Sequence, residues 1–186
     1  MEKQTTKNLI LSALFVALIA VGAFIRIPLP AVPFTLQYPM TMLAGLLLGG
    51  KRGCLAVCAY IVLGLMGLPI FASGSSGVGY ALQPSFGYIL GFALGALLTG
   101  SIARGTPNPS WKRLLAANLA GMAVVYCLGT VYYYLITTVY LQESIGLWPL
   151  IVSCCLITAP KDIVLCVLAA VLGKRLIPLV QTGKVA

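Results

Sequence analysis

The stretch PLIVSCCLITAPKDIVLCVLAAVLG, residues Pro149–Gly173, decides what kind of protein this sequence encodes. It is apolar over most of its length, and its two charged residues, Lys161 and Asp162, are adjacent. An uninterrupted helix of this length would measure about 37 Å, and about 20 apolar residues are enough to cross a bilayer. The stretch therefore predicts a membrane span. Because charges at that depth cost several kcal/mol, it also predicts a functional site.

The composition of the whole chain agrees with this prediction. Hydrophobic residues make up 60% of the sequence and charged residues 8%, whereas soluble domains have about 25% charged residues. We expect an all-α integral membrane protein of six transmembrane helices, folded as a single domain over residues 1–186. The predicted spans are approximately 9–27, 38–50, 54–71, 82–103, 113–141 and 149–173.

Basic residues give the expected orientation. Under the positive-inside rule, the Lys- and Arg-rich connections are cytoplasmic, so both termini are predicted to be cytoplasmic. The residues that follow this pattern are Lys3, Lys7, Lys51, Arg52, Arg104, Lys112, Arg113, Lys174, Arg175 and Lys184. The net charge of +9 then reflects topology and contact with anionic membrane lipid, and no nucleic-acid partner is expected.

Arg26, Lys161 and Asp162 do not fit the orientation pattern. Pro160 precedes the Lys-Asp pair, and a proline inside a helix removes a backbone hydrogen bond and bends the helix. Such a bend is tolerated in a membrane where it lines a cavity or contacts other protein. Two interpretations are open: a ligand site, or an ion pair of Asp162 with Lys161 or Arg26 that only holds helices together. Adjacent helical residues point about 100° apart, so Lys161 and Asp162 are not expected to satisfy each other fully.

Two connections on the predicted external side supply further candidate ligand-binding residues. They are Thr35 and Gln37 in the first connection, and Tyr80, Gln83, Ser85 and Tyr88 around Pro84. Together with Asp162, Lys161 and Arg26, they would give a pocket with hydrogen-bonding groups, aromatic faces, one anion and one or two cations. Such a pocket suits a small polar ring that carries a carboxylate.

Small residues four positions apart indicate close helix packing in lipid. They occur as Ala13 with Ala17, Gly45 with Gly49, and Gly91 with Gly95. Packing inside the chain and packing against a partner protein are both open for each pair.

Motifs for catalysis and metal binding are not found in the sequence. It has no His, six Cys without a CxxC motif, and three acids. We therefore predict no enzyme, no metal, no cofactor and no disulfide framework. The chain also has no phosphate-binding loop, so any pumping would have to be powered by partners.

Four motifs resemble the BioY family, the biotin-specific S components of energy-coupling factor transporters. They are VPFTLQ (Val32–Gln37), GLMGLPIF (Gly64–Phe71), QPSFGYILGF (Gln83–Phe92) and APKD (Ala159–Asp162). The resemblance implies a multi-pass protein of the prokaryotic plasma membrane that takes part in biotin uptake. It implies a biotin pocket near the outer face, covered by the first loop, here Pro28–Tyr38.

The resemblance also implies a partner and two site assignments. Members of the family dock, through alanines of their first helix, onto a transmembrane coupling protein that carries two ABC-type ATPases. Ala13 and Ala17 match those alanines, and Asp162 matches the site aspartate of the last helix.

The sequence departs from the family pattern beside Asp162. The family usually reads Pro-Gly-Asp-x-x-Lys, whereas this chain has Lys161 in place of the Gly and Leu165 in place of the Lys. Lys161 lies one helical turn before position 165 on the same face, so it is expected to contact the ligand carboxylate, with Arg26 as the second candidate. Ser85 and Phe86 stand where the family often has Thr and Gly. These changes leave open a related ligand such as dethiobiotin, another vitamin, a small membrane enzyme or a structural membrane protein.

Overall fold

The computed structural model describes residues 2–27, 34–106, 108–143 and 145–182, and most of them are helical. The longer helices are α1 (Glu2–Phe24), α2 (Gln37–Leu48), α3 (Gly50–Leu65), α4 (Phe86–Ala103), α5 (Trp111–Leu135), α6 (Leu147–Ile151) and α7 (Ala159–Thr182). Short 3₁₀ turns at Ala72–Gly74 and Val78–Leu82 precede α4, and π-helical turns at Ile136–Tyr140 and Val152–Leu156 follow α5 and α6.

A short β-ribbon is the exception to the predicted all-α fold in the described residues. Strands β1 (Arg26–Ile27) and β2 (Phe34–Thr35) pair antiparallel, with Arg26 opposite Thr35. The backbone N–H of Leu36 then donates to the carbonyl of Gly22 at 3.0 Å. A Cβ atom at Gly22 would lie 2.8 Å from the Leu36 backbone, so glycine allows this close approach. The ribbon holds Thr35 against the end of α1 and the start of α2.

Four helical stretches are long and apolar enough to cross a membrane: Thr6–Phe24, Phe86–Ala103, Trp111–Tyr140 and Leu147–Val180. Helices α2 and α3, with 12 and 16 residues, fall short of this length. Gly49 separates them with φ of 85°, a backbone conformation that glycine adopts readily. The chain is therefore a helical membrane protein.

Two predicted spans extend beyond the helices that form. The third was predicted to reach Phe71, but α3 ends at Leu65, before Gly67 with φ of 110° and Pro69. The fourth was predicted from residue 82, but α4 begins at Phe86. Gln83 has extended backbone angles because it precedes Pro84, which disfavours helix at the residue before it.

The last predicted span is interrupted, although differently from the expected mid-helix bend. A π-helical turn, closed by the Ile157 N–H and the Val152 carbonyl at 3.1 Å, separates α6 from α7. Pro160 is the second residue of α7, where a missing N–H removes no helical hydrogen bond. Asp162 consequently lies in the first turn of α7, where the helix dipole favours negative charge.

The glycine pairs pack inside the chain. A Cβ atom at Gly45 would lie 2.6 Å from the Ala96 carbonyl oxygen, and one at Gly91 would lie 3.0 Å from the Cα of Val125. Close approach thus joins α2 to α4 and α4 to α5. Asn118, fully buried on α5, donates to the Cys166 carbonyl at 2.9 Å and so ties α5 to α7.

Candidate functional site

A small cavity of about 50 Å³ lies where the first turns of α2, α4 and α7 meet the second half of α5. This end of the bundle is opposite the basic ends of α1, α4 and α7. The residues that line it are Thr35, Tyr38, Tyr88, Phe92, Val125, Tyr126, Cys154, Thr158, Lys161 and Asp162. Four of the residues predicted from sequence, Thr35, Tyr88, Lys161 and Asp162, are therefore brought together.

Asp162 is 7% exposed and has two partners. The Tyr126 hydroxyl donates a hydrogen bond to its Oδ2 atom. The Lys161 ammonium lies 3.5 Å from its Oδ1 atom, so the two neighbours form an ion pair. The expectation that they would be poorly placed for each other was wrong to this extent, because the long Lys side chain can bend back along the helix. Both side chains nevertheless reach the same cavity.

Thr35 and Gln37 belong to one buried hydrogen-bond chain. The Thr35 hydroxyl donates to Gln37 Oε1 at 3.1 Å, and Gln37 Nε2 donates to the Tyr60 hydroxyl at 2.5 Å. Tyr60 then donates to the Ile70 carbonyl at 3.0 Å. Gln37 itself does not line the cavity, and its contact is with Thr35, which does.

Four predicted residues lie away from the cavity lining. Tyr80 stacks on Phe71 with 4.5 Å between ring centroids, and burial raises the pKa of its hydroxyl, which keeps it neutral. Ser85 precedes α4 and contacts Tyr80. Gln83 is exposed, and Arg26 is exposed and donates to the Ser73 hydroxyl.

The sequence interpretation missed six of the lining residues. Tyr126 is the most important, since it holds Asp162, and its signal was a hydroxyl within the apolar fifth span. Tyr38 was the other available signal; its hydroxyl lies 3.0 Å from Cys166 Sγ. The remaining four are Phe92, Val125, Cys154 and Thr158, which are typical of any membrane helix and gave no signal in isolation.

The predicted partner-docking residues face a second and much larger concavity. Ala13 and Ala17 are exposed on α1 and line a groove of about 790 Å³ between α1 and α3. Its other lining residues are Asn8, Leu9, Ser12, Val16, Ala20, Arg52, Leu55, Ala56, Ala59, Leu63, Leu68 and Ile70. Within the described residues, the alanine pair thus differs from the glycine pairs, which are covered by neighbouring helices.

The predicted lid falls largely outside the described residues. Residues 28–33, with Pro28, Ala31 and Pro33, are not described, and neither is the side chain of Phe34. The described end of the segment, Thr35–Tyr38, lies beside the cavity.

The fold and the buried acid-bearing cavity define a helical membrane protein with the build of a small-molecule-binding subunit. The model of the BioY family matches residues 1–182 of this chain. The chain therefore belongs to the BioY family, as its motifs indicated.

Relatives and a solved structure agree with this assignment. The chain is 39% identical to the probable biotin transporter BioY of Lysinibacillus sphaericus over 99% of this chain and 93% of the relative. It is 45% identical to the biotin transporter BioY of Thermotoga maritima over 66% of this chain and 72% of that protein. A crystal structure of the S component for biotin from an ECF-type ABC transporter superposes with a TM-score of 0.83. That likeness has 30% identity and covers 95% of this chain and 93% of the other.

Proposed function

We propose that this chain is the biotin-binding S component of an ATP-driven energy-coupling factor transporter and takes part in biotin uptake. The observation that carries the proposal is the buried Asp162 carboxylate beside aromatic side chains, in a chain of the BioY family. Members of this family are transport subunits, so the chain is not an enzyme.

The chemistry of biotin fits the groups around Asp162. The ureido ring of biotin has two N–H donors and a carbonyl, and an ionised carboxylate only accepts hydrogen bonds. Tyr126 already donates to Oδ2, so an N–H donor of the ligand is directed to Oδ1, on the side of Lys161. Tyr88 and Phe92 supply ring faces, and the Thr35 hydroxyl supplies a further polar contact.

The size of the cavity adds a lid to the proposal. A volume of about 50 Å³ is close to that of one or two water molecules, since each takes ~30 Å³ in the liquid. A biotin ring needs more room, so the lining must move when it binds. Thr35 and Tyr38 are the lining residues at the end of the segment Pro28–Tyr38, and this segment is proposed to open and close over the ligand.

Lys161 is the proposed partner of the ligand carboxylate. Its side chain is 29% exposed and lines the cavity, so its ammonium can face both Asp162 and an incoming acid. Arg26, the second candidate, contacts Ser73 in an exposed position outside the lining. This geometry favours Lys161 over Arg26.

The membrane arrangement completes the proposal. Six crossings with both termini in the cytoplasm of a prokaryotic cell would place the basic helix ends on the inner side and the Asp162 cavity toward the outer side. Helices α2 and α3 would form the second and third crossings. The exposed pair Ala13 and Ala17 is the proposed contact with a transmembrane coupling protein, which two ABC-type ATPases drive.

A competition experiment tests the ligand. Purified protein in detergent is titrated with biotin by calorimetry, and then with dethiobiotin and an unrelated vitamin such as thiamine. We expect one biotin per chain and at least tenfold weaker binding of thiamine. Tighter binding of dethiobiotin than of biotin would favour the alternative that the Lys161 and Ser85 departures suggest. No binding of any of the three would contradict the proposal.

A further inference from the structure

A polar cavity of about 140 Å³ lies at the basic end of the bundle, far from Asp162 along the helices. Three cations line it: Lys7 of α1, Arg52 of α3 and Arg104, which follows α4. The other lining residues are Asn8, Leu11, Leu47, Leu48 and Val180, so no acid is among the residues found to line it.

The backbone is shaped around these cations. Arg104 lies over Gly49, where a Cβ atom would be 2.9 Å from the Arg104 Cδ, and its guanidinium donates to the Leu47 carbonyl. The Lys7 ammonium donates to the Val180 carbonyl at 2.8 Å. Basic side chains thus reach the cavity from α1, α3 and the end of α4, with α7 closing it.

The cavity has an excess of positive charge. Burial and the neighbouring Arg52 lower the pKa of Arg104, which shows that the two guanidinium groups are close enough to repel each other. Two of the three acids, Glu143 and Asp162, belong to other parts of the fold; Glu2 is five residues before Lys7, and its side chain is outside the described residues. Carbonyl groups offer only partial negative charge, so an anion would stabilise this arrangement. Guanidinium groups suit phosphate oxygens in particular.

The basic cavity is continuous with the α1–α3 groove. Asn8 and Arg52 line both concavities. Beyond them, the groove is lined by Leu9, Leu55, Leu63 and other apolar or small side chains. A molecule with an anionic head and an apolar tail would match the two parts at once.

We propose that an anionic phospholipid binds here, with its phosphate among Lys7, Arg52 and Arg104 and an acyl chain along the α1–α3 groove. Continuity with an apolar groove favours a lipid over free phosphate, since phosphate would use only the basic cavity. It also favours a lipid over an acidic protein segment. The location at the basic ends of the helices agrees with the depth of lipid headgroups.

Native mass spectrometry of the full chain with phosphatidylglycerol and phosphatidylcholine tests the proposal. We expect at least fivefold greater retention of phosphatidylglycerol, and at least a fivefold loss of this lipid in Lys7→Gln/Arg52→Gln. The matched control is Lys174→Gln/Arg175→Gln, which removes two exposed cations on α7 outside the cavity lining and should retain the lipid. Melting temperatures near that of the parent protein would show that the variants are folded. If the double variant does not fold, Arg52→Gln alone replaces it, with at least a twofold loss expected.

A tail variant distinguishes the possible anions. Ala59→Phe fills the groove without touching the cations and should also reduce phosphatidylglycerol retention. Equal retention of the two lipids, or an equal loss in the control variant, would overturn the proposal. Complete displacement by inorganic phosphate with no effect of Ala59→Phe would assign the cavity to free phosphate instead. Unchanged lipid retention in Lys7→Gln/Arg52→Gln, with loss of its complex with the coupling protein, would assign it to an acidic protein segment.

Discussion

The Asp162 cavity and the α1–α3 groove are opposite in almost every physical property. The cavity is closed, about 50 Å³ in volume, and contains a buried acid with Tyr126 and Lys161 as its partners. The groove is open, about 790 Å³ in volume, and is lined mostly by small and apolar side chains. The first can select a small polar molecule by hydrogen bonds, whereas the second can be covered only by a larger apolar surface. Ligand binding and partner binding should therefore be separable by mutation.

Filling the groove should give the largest effect. Leu at both Ala13 and Ala17 would put branched side chains where close helix packing needs small ones. We expect loss of copurification with the coupling protein and loss of ATP-dependent uptake, with biotin affinity changed less than twofold. Copurification and uptake in cells, with calorimetry on the purified variant, measure the three quantities.

The matched control for this variant adds bulk to another exposed helix face. Cys127 and Val131 are exposed and four residues apart on α5, so Cys127→Leu/Val131→Leu should leave complex formation intact. Normal uptake by the Ala13→Leu/Ala17→Leu protein would show that the groove does not bind the partner.

Asp162→Asn should have the next largest effect, and on ligand binding alone. It keeps the size of the side chain but replaces an acceptor by an amide that opposes a ureido N–H. A hydrogen bond to a charged group is worth about 1.5–3 kcal/mol, so we expect at least a tenfold loss of biotin affinity by calorimetry. Tyr126→Phe keeps the charge and should cost less. Unchanged affinity in Asp162→Asn would mean that the acid serves helix packing.

Lys161→Met should have a smaller and selective effect. The ammonium is proposed to face the ligand carboxylate, so biotin should lose about fivefold in affinity while its neutral amide changes less than twofold. Arg26→Met, which removes a cation outside the cavity lining, should affect neither ligand. An equal loss for the acid and the amide would leave Lys161 only its ion pair with Asp162.

Gln83→Ala should have the smallest effect and so marks the edge of the ligand site. Gln83 is exposed and outside the cavity lining, although it lies in a motif that resembles the family. We expect a change in biotin affinity of less than twofold, against a clear loss for Tyr88→Ala. A tenfold loss in Gln83→Ala would mean that the ligand contacts the loop before α4 as well.

The sequence predicted what depends on the cost of polar groups in lipid. Asp162 and Lys161 were identified because charges are rare at that depth, and the structure brings them to one cavity with Thr35 and Tyr88. The membrane class followed from composition, and family membership followed from ordered motifs. The exposure of Ala13 and Ala17 on α1 agrees with the prediction that this pair could meet a partner.

Other features could not be predicted because they depend on packing between distant segments. Tyr126 contacts Asp162 only once α5 lies against α7, and nothing in a single span indicates that contact. Tyr80 and Ser85 looked like ligand groups, but they form a separate cluster with Phe71. The π-helical turn at Val152–Leu156 moved Pro160 from the middle of a helix to the first turn of α7.

The shortness of α3 has a consequence for the surrounding bilayer. Its 16 residues measure about 24 Å, less than the roughly 30 Å of hydrocarbon, whereas the 30 residues of Trp111–Tyr140 measure about 45 Å. Leu55 and Met66 on α3 are 66% and 77% exposed, so this short helix is exposed on the surface of the bundle. Hydrophobic mismatch therefore differs between the two sides of the protein, and lipid must thin beside α3 or the bundle must tilt. A molecule shaped in this way changes its tilt at lower cost than one of uniform hydrophobic thickness.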